Sequence, residues 1–209
     1  MIVYGVQPAP SRTFLRLLSS ACITAGIVLV LSPLGWVGYT AVAVGPAQTA
    51  ALAAWERTTP RAPAAADGAV AAAPGMVLTI PRLRLRSFVP EGATIDHLRR
   101  FGVGRIAWTA LPEDPGILGI AGHRTTYGAP FFRLDTLRRG DVIFVEHKGR
   151  RYRYAALESR VVRPEQVDVL QASLGTQGIA LVTCTPAYSA AYRLVVFGTL
   201  RGISTPALP

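Results

Sequence analysis

Cysteine is scarce in this chain: Cys22 and Cys184 are the only two in 209 residues. Cys22 falls in an uncharged apolar stretch and Cys184 in a punctuated body, so a disulfide framework is excluded. Lysine is scarcer still, with Lys148 alone, and the formal charge of +10 is carried almost entirely by arginine. Three histidines, His97, His123 and His147, show no HxxxH spacing, and no CxxC occurs, which removes the usual basis for a zinc site. Zinc-finger, helix-turn-helix and aromatic-interleaved basic patterns are also missing, so the positive charge does not read as a nucleic-acid interface. It suits anionic surroundings, such as lipid headgroups or wall polymers, or a solvated surface with no dedicated partner. No repeat of roughly 20–50 residues recurs, which sets aside solenoids and propellers.

Charge of either sign is absent from residues 17–44, which are 28 positions rich in Leu, Val, Ile, Ala and Gly. About 20 apolar residues cross a bilayer, so this stretch is long enough to span with some tilt. A secretory h-region of about 7–15 residues would be shorter, which favours an uncleaved signal anchor. Arg12 and Arg16 precede the stretch closely, whereas Arg57 and Arg61 follow at a distance. That bias places residues 1–16 in the cytoplasm and the C-terminal body outside a single-pass cell membrane protein. Residues 45–75 read as an Ala/Pro-rich spacer. Within it 47–57 is predicted as a short helix, and 58–75 holds eight alanines, three prolines and two glycines, a composition that buries little. The folded domain is therefore residues 76–209, with 18 Lys+Arg against 10 Asp+Glu.

From Met76 onward short β-type runs alternate with turn residues. Strands are predicted at 76–80, 84–89, 116–121, 141–147, 151–158 continuing through 159–163, 179–183 and 194–200. A short helix is predicted at 94–101, with Thr94 as N-cap, and a helical turn at 165–170. Residues 131–137 read as a turn with Phe131, Leu134 and Leu137 pointing inward. His97 and His147 read as surface residues. Seven or eight short strands at this spacing give an all-β fold with minor helices, a closed or nearly closed barrel preceded by a transmembrane helix.

An unpaired thiol on an exported domain is exposed to oxidation and calls for an explanation. Cys184 ends the apolar run Ile179-Ala180-Leu181-Val182-Thr183 and stands before Thr185-Pro186, a position suited to a barrel rim. His123 has the same setting, at the exit of Gly119-Ile120-Ala121-Gly122, and Arg193 begins the next apolar run nine residues after Cys184. A thiolate is a nucleophile, and neighbouring cations favour it. An imidazole can protonate a leaving amine and deprotonate an incoming one. A guanidinium, with five donors and a permanent charge, suits a developing oxyanion. Cys184, His123 and Arg193 are thus the candidate catalytic residues.

These motifs resemble the sortases, membrane-anchored cysteine transpeptidases of Gram-positive surfaces. The family's T-L-x-T-C strand is matched by Ala180-Leu181-Val182-Thr183-Cys184, with Ala180 the one departure, and its arginine by Arg193. The run from Gly122-His123-Arg124-Thr125-Thr126-Tyr127-Gly128 to Phe131, with Leu134, Leu137 and Gly140-Asp141 behind it, resembles class E sortases of actinobacteria, as do Thr185-Pro186, Tyr188 and Ala190. The resemblance implies cleavage of an L-P-x-T-G-like or L-A-x-T-G-like sorting signal after its threonine. The acyl-enzyme would pass to an amine of a peptidoglycan precursor or a pilin, so surface proteins or pilins with a C-terminal sorting signal are the implied substrates. It also implies substrate-binding roles for Tyr127, Thr183 and Thr185, with Tyr127 at the signal's second residue. Some sortases bind calcium after the histidine strand. Here that loop offers Asp135 and Asp141 among arginines, too few oxygen ligands for a hard cation, so no metal and no cofactor is expected.

Three rival readings are weaker. An L,D-transpeptidase would carry an S-H-G-C-x-R cluster, whereas His123 lies 61 residues before Cys184. A catalytically silent binding module would not need the complete His, Cys and Arg set. A basic tethered scaffold leaves the strand-end thiol without a role.

Overall fold

The computed structural model describes residues 12–58, 75–171 and 177–205, the side chains of Leu34 and Ala41 excepted. The chain forms two compact units, Met1–Tyr39 and Thr40–Pro209. Helix α1 spans Arg12–Thr58, beginning before residue 17 and continuing without a break past 44 and through the predicted 47–57 helix. In the first unit its apolar side chains are exposed on every face, Leu17, Leu29 and Val30 among them. Among the described residues it is the one helix long and apolar enough to cross a membrane, as a membrane anchor or a signal sequence would be.

In the second unit the last turns of α1 are seated by their own residues. Trp55 is 2% exposed and packs with Val77 and Phe88. Gln48 donates from Nε2 to the carbonyls of Phe88 (2.9 Å) and Phe101 (2.6 Å) and accepts from the Phe88 N–H at 2.8 Å. Residues 45–58 therefore bury specific side chains, which Trp55 and Gln48 alone did not announce in an alanine-rich stretch.

Eight strands follow: β1 (Met76–Ile80), β2 (Leu85–Val89), β3 (Val103–Arg105), β4 (Gly116–Gly122), β5 (Val142–His147), β6 (Arg150–Val162), β7 (Gln177–Thr185) and β8 (Tyr192–Ser204). They form one sheet in the order β2-β1-β5-β6-β8-β7-β4-β3, the nearly closed barrel of the expected fold class. The two edges approach where the Arg105 N–H donates to the Pro90 carbonyl at 3.0 Å and the buried Arg105 guanidinium pairs with Glu91. Gly104 permits that approach, because a Cβ there would stand 2.6 Å from the Gly92 carbonyl oxygen. Strand β3 was not expected from its three residues; its partner β4 makes it a strand.

Local chemistry sets the remaining joints. Lys148 (φ 46°) and Gly149 (φ 70°) form the two-residue turn between β5 and β6, where both positions take the left-handed conformation that a primed hairpin turn needs. Helix α2 (Ile95–Phe101) is capped by Thr94, whose hydroxyl accepts from the His97 N–H at 3.3 Å, and closed by Gly102 at φ 75°. His147 is buried, not a surface residue, because its Nδ1 meets Glu113 Oε2 at 2.9 Å across the barrel end.

Alternation along β7 divides the core. Ile179 and Leu181 belong to the main cluster with Leu118, Ile120 and Phe131. Ala180 belongs to a second cluster with Ile117, Val195 and Phe197, and Val182 packs against it. Successive strand residues face opposite sides, so Thr183 continues the first row and Cys184 the second.

Candidate active site

Strand pairing brings three distant residues to one rim. β4 and β7 run parallel, with Ala121 beside Val182. Their C-terminal ends therefore coincide, and two more residues along that register place His123 level with Cys184. β8 runs antiparallel to β7, which puts Arg193 directly across from Cys184. Residues opposite each other in such a pair project from the same face. By the same alternation Cys184 and Arg193 both belong to the second row.

His123 and Cys184 line one cleft of about 180 Å³, together with Arg124, Thr126, Tyr188 and Ser189. Cys184 is half-buried and carries a free thiol. The His123 ring packs on Tyr127, with centroids 4.9 Å apart. Its Nδ1 lies 3.4 Å from the Thr126 hydroxyl, while its buried Nε2 has no partner among the described residues. Burial holds the His123 imidazole below the ordinary histidine value, and the Arg99 charge lowers it further. The neutral ring is favoured, and it can accept a proton from a thiol. Arg193 stands beside Cys184 in the strand register, but its Nη1 donates to the carbonyls of Ala190 (2.9 Å) and Tyr192 (3.1 Å), just before it in the chain.

The other candidates divide. Tyr127, at φ 49°, stacks on the histidine. Thr185 lies at the rim, and its Oγ1 accepts from Arg124 Nη1 at 3.3 Å. Thr183 is not in the cleft. Its side chain is 2% exposed, and its hydroxyl donates to the Gly122 carbonyl at 2.8 Å, tying β7 to β4. The expected pocket-lining role is corrected on that ground, since strand alternation turns Thr183 inward. Sequence reasoning missed Arg124, which is buried against Asp135 (2.9 Å) and Thr185; the signal available was its place directly after His123. Among the described residues, no three His, Cys, Asp or Glu side chains gather as a metal site would require.

Known proteins similar to this chain in sequence and fold fall in one family. A family model described as the Sortase domain matches residues 78–201. Sortase SrtE1 of Streptomyces coelicolor is 36% identical over 138 residues, covering 59% of this chain and 39% of that protein. Sortase SrtE2 of the same organism is 35% identical over 99 residues, covering 42% and 38%. The chain thus matches less than half the length of either relative. The crystal structure of Sortase E1 from Streptomyces coelicolor with a tripeptide in the active site superposes with a TM-score of 0.59 at 33% identity, covering 63% of this chain and 90% of that one. Sortase E from Streptomyces avermitilis gives a TM-score of 0.56 at 28% identity over the same shares.

Proposed function

The chain belongs to the sortase family and is of the class E type, and from that premise we propose that it is a membrane-anchored cysteine transpeptidase. The observation that carries the reading is Cys184 and His123 opening on one cleft, with Arg193 across the strand from the thiol. Cys184 attacks the carbonyl carbon of the threonine in an L-A-x-T-G-like or L-P-x-T-G-like signal. His123 takes the thiol proton, and the Arg193 guanidinium turns from the Ala190 and Tyr192 carbonyls to hold the oxyanion. Collapse of the tetrahedral intermediate breaks the Thr–Gly bond. His123 returns the proton to the leaving amine, and a thioester to Cys184 remains. An incoming amine of a peptidoglycan precursor or a pilin then loses its proton to His123 as it displaces the thiolate.

The unpartnered Nε2 of His123 supports its place in these transfers, because a buried ring nitrogen is otherwise costly to leave unsatisfied. The tripeptide in the Streptomyces coelicolor enzyme supports a peptide ligand for the same cleft here. Tyr127 contacts the second residue of the signal, and Thr185 borders the peptide at the rim. Residues 17–44 anchor the chain in the cell membrane, residues 1–16 are cytoplasmic, and the body acts outside. Of the expected 45–75 spacer, residues 59–74 lie outside the described residues, and the docked turns of α1 belong to the body.

The test incubates the full chain in detergent micelles with sorting-signal peptides of both types and a diglycine acceptor. Amide-linked product that requires Cys184 supports the reading. Absence of both product and hydrolysis with either peptide overturns it.

A further inference from the structure

Two side-chain hydrogen bonds bracket the histidine and the cysteine. On one side Thr183, the residue before Cys184, donates to the carbonyl of Gly122, the residue before His123, at 2.8 Å. On the other side Arg124, the residue after His123, donates from Nη1 to the hydroxyl of Thr185, the residue after Cys184, at 3.3 Å. Both bonds lie beyond the last backbone pair of the parallel β4–β7 ladder, Ala121 with Val182, the first one residue past it and the second three residues past it.

Arg124 is built for this place. Its side chain is 8% exposed, and its Nη2 is held 2.9 Å from Asp135 Oδ2. Asp135 lies in the 3₁₀ turn Leu134–Thr136, anchored by the fully buried Leu134 and by Phe131 just before it. The guanidinium is thus fixed from the barrel body and reaches across to β7 on the cleft side. Its Nε is buried without a partner among the described residues, a cost that a merely decorative ion pair would not explain. A planar guanidinium with two donors engaged holds its direction better than a lysine could.

We propose that Arg124, held by Asp135, is a positioning residue that sets the spacing and level of His123 against Cys184 through its bond to Thr185. The proposal rests on the transpeptidase reading, but it concerns the geometry of the pair, so the two fail separately. Misplacement of about 1 Å at a reacting centre costs on the order of 10²-fold in rate.

The test uses the full chain in micelles, with Arg124→Ala, Arg124→Lys, Thr185→Val, Thr185→Ser and the double variant Arg124→Ala/Thr185→Val. The expected result is a fall in kcat of about 10²-fold for Arg124→Ala, with KM within about twofold and an unchanged circular dichroism spectrum. Arg124→Lys recovers little. Thr185→Ser recovers most of what Thr185→Val loses, and the double variant is no worse than Arg124→Ala. A second readout needs no substrate: the NMR titration of the His123 ring, with and without Cys184→Ala. In the parent chain, removing the thiol shifts that titration; in the Arg124→Ala background the shift is lost. Equal kcat in Arg124→Ala and the parent, additive losses in the double variant, or an undiminished thiol effect on His123 would overturn the proposal. If the NMR coupling behaves as stated but no sorting peptide reacts, the transpeptidase reading fails and the positioning role stands.

Discussion

Truncating Trp55 to alanine should loosen the whole barrel unit, although the residue lies far from the reaction in sequence. The indole is 2% exposed and packs on Val77 and Phe88, with Ala51, Leu52 and Phe101 around it. A tryptophan buries about 200 Å², and at about 25 cal/mol per Å² its burial stabilises by about 5 kcal/mol as an upper bound. Alanine keeps a methyl group, and α1 retains its Gln48 bonds to Phe88 and Phe101, so a loss of about 3 kcal/mol is expected, at the low end for such truncations. For a unit of this size that is roughly 6–12 °C in Tm. Far-UV circular dichroism melts of the full chain in micelles measure it. Thr49→Ala serves as the control, since its exposed hydroxyl bonds only within the helix, and it should change stability by less than about 0.5 kcal/mol. A Trp55→Ala melt indistinguishable from the control would refute the docking of α1 on the barrel and return residues 45–58 to a passive spacer.

Other outcomes follow from the same contacts. Arg193→Ala should lower kcat by about 10²–10³-fold, as loss of an oxyanion donor does; steady-state kinetics with a sorting peptide check this, and retention of most activity would remove Arg193 from the mechanism. Arg99→Ala should raise the His123 midpoint in an NMR titration, because Arg99 disfavours the imidazolium; a midpoint unchanged or lower contradicts this. Since the folded His123 value lies below the unfolded one, the group costs nothing above the ordinary histidine range. It costs stability as pH falls through about 6.5, where the unfolded chain binds the proton first. Arg99→Ala should shrink that acid-side loss, as denaturant unfolding at stepped pH would show. Gly122→Ala would set a Cβ 2.6 Å from the Phe131 ring, which is fully buried, so a loss of about 1–3 kcal/mol in chemical denaturation is expected.

Much of the barrel was legible because its strands are bounded by turn residues that act locally: Pro81, the Lys148-Gly149 pair and Pro164. The candidate site was legible for a related reason, since an apolar run ending in a reactive residue marks a strand exit at a rim. What stayed hidden depends on partners distant in the chain. β3 is three residues long and is a strand only beside β4. His147 is buried because Glu113, 34 residues earlier, closes over it. Arg124 gains its role from Asp135 and from Thr185, 61 residues away. Thr183 differs, because alternation counted from Leu181 already turns it inward. Its expected substrate-binding role was implied by the family resemblance, but adjacent strand residues face opposite ways, so Thr183 does not share the face of Cys184.

The most direct test of the transpeptidase reading is mass spectrometry of the full chain after a brief incubation with an L-A-x-T-G peptide, followed by acid quench and proteolysis. The expected result is a thioester of the peptide's first four residues on the fragment containing Cys184, discharged by an added amine and diminished in His123→Ala. An unmodified Cys184 under conditions that consume the peptide, or an adduct on another residue, would contradict the account.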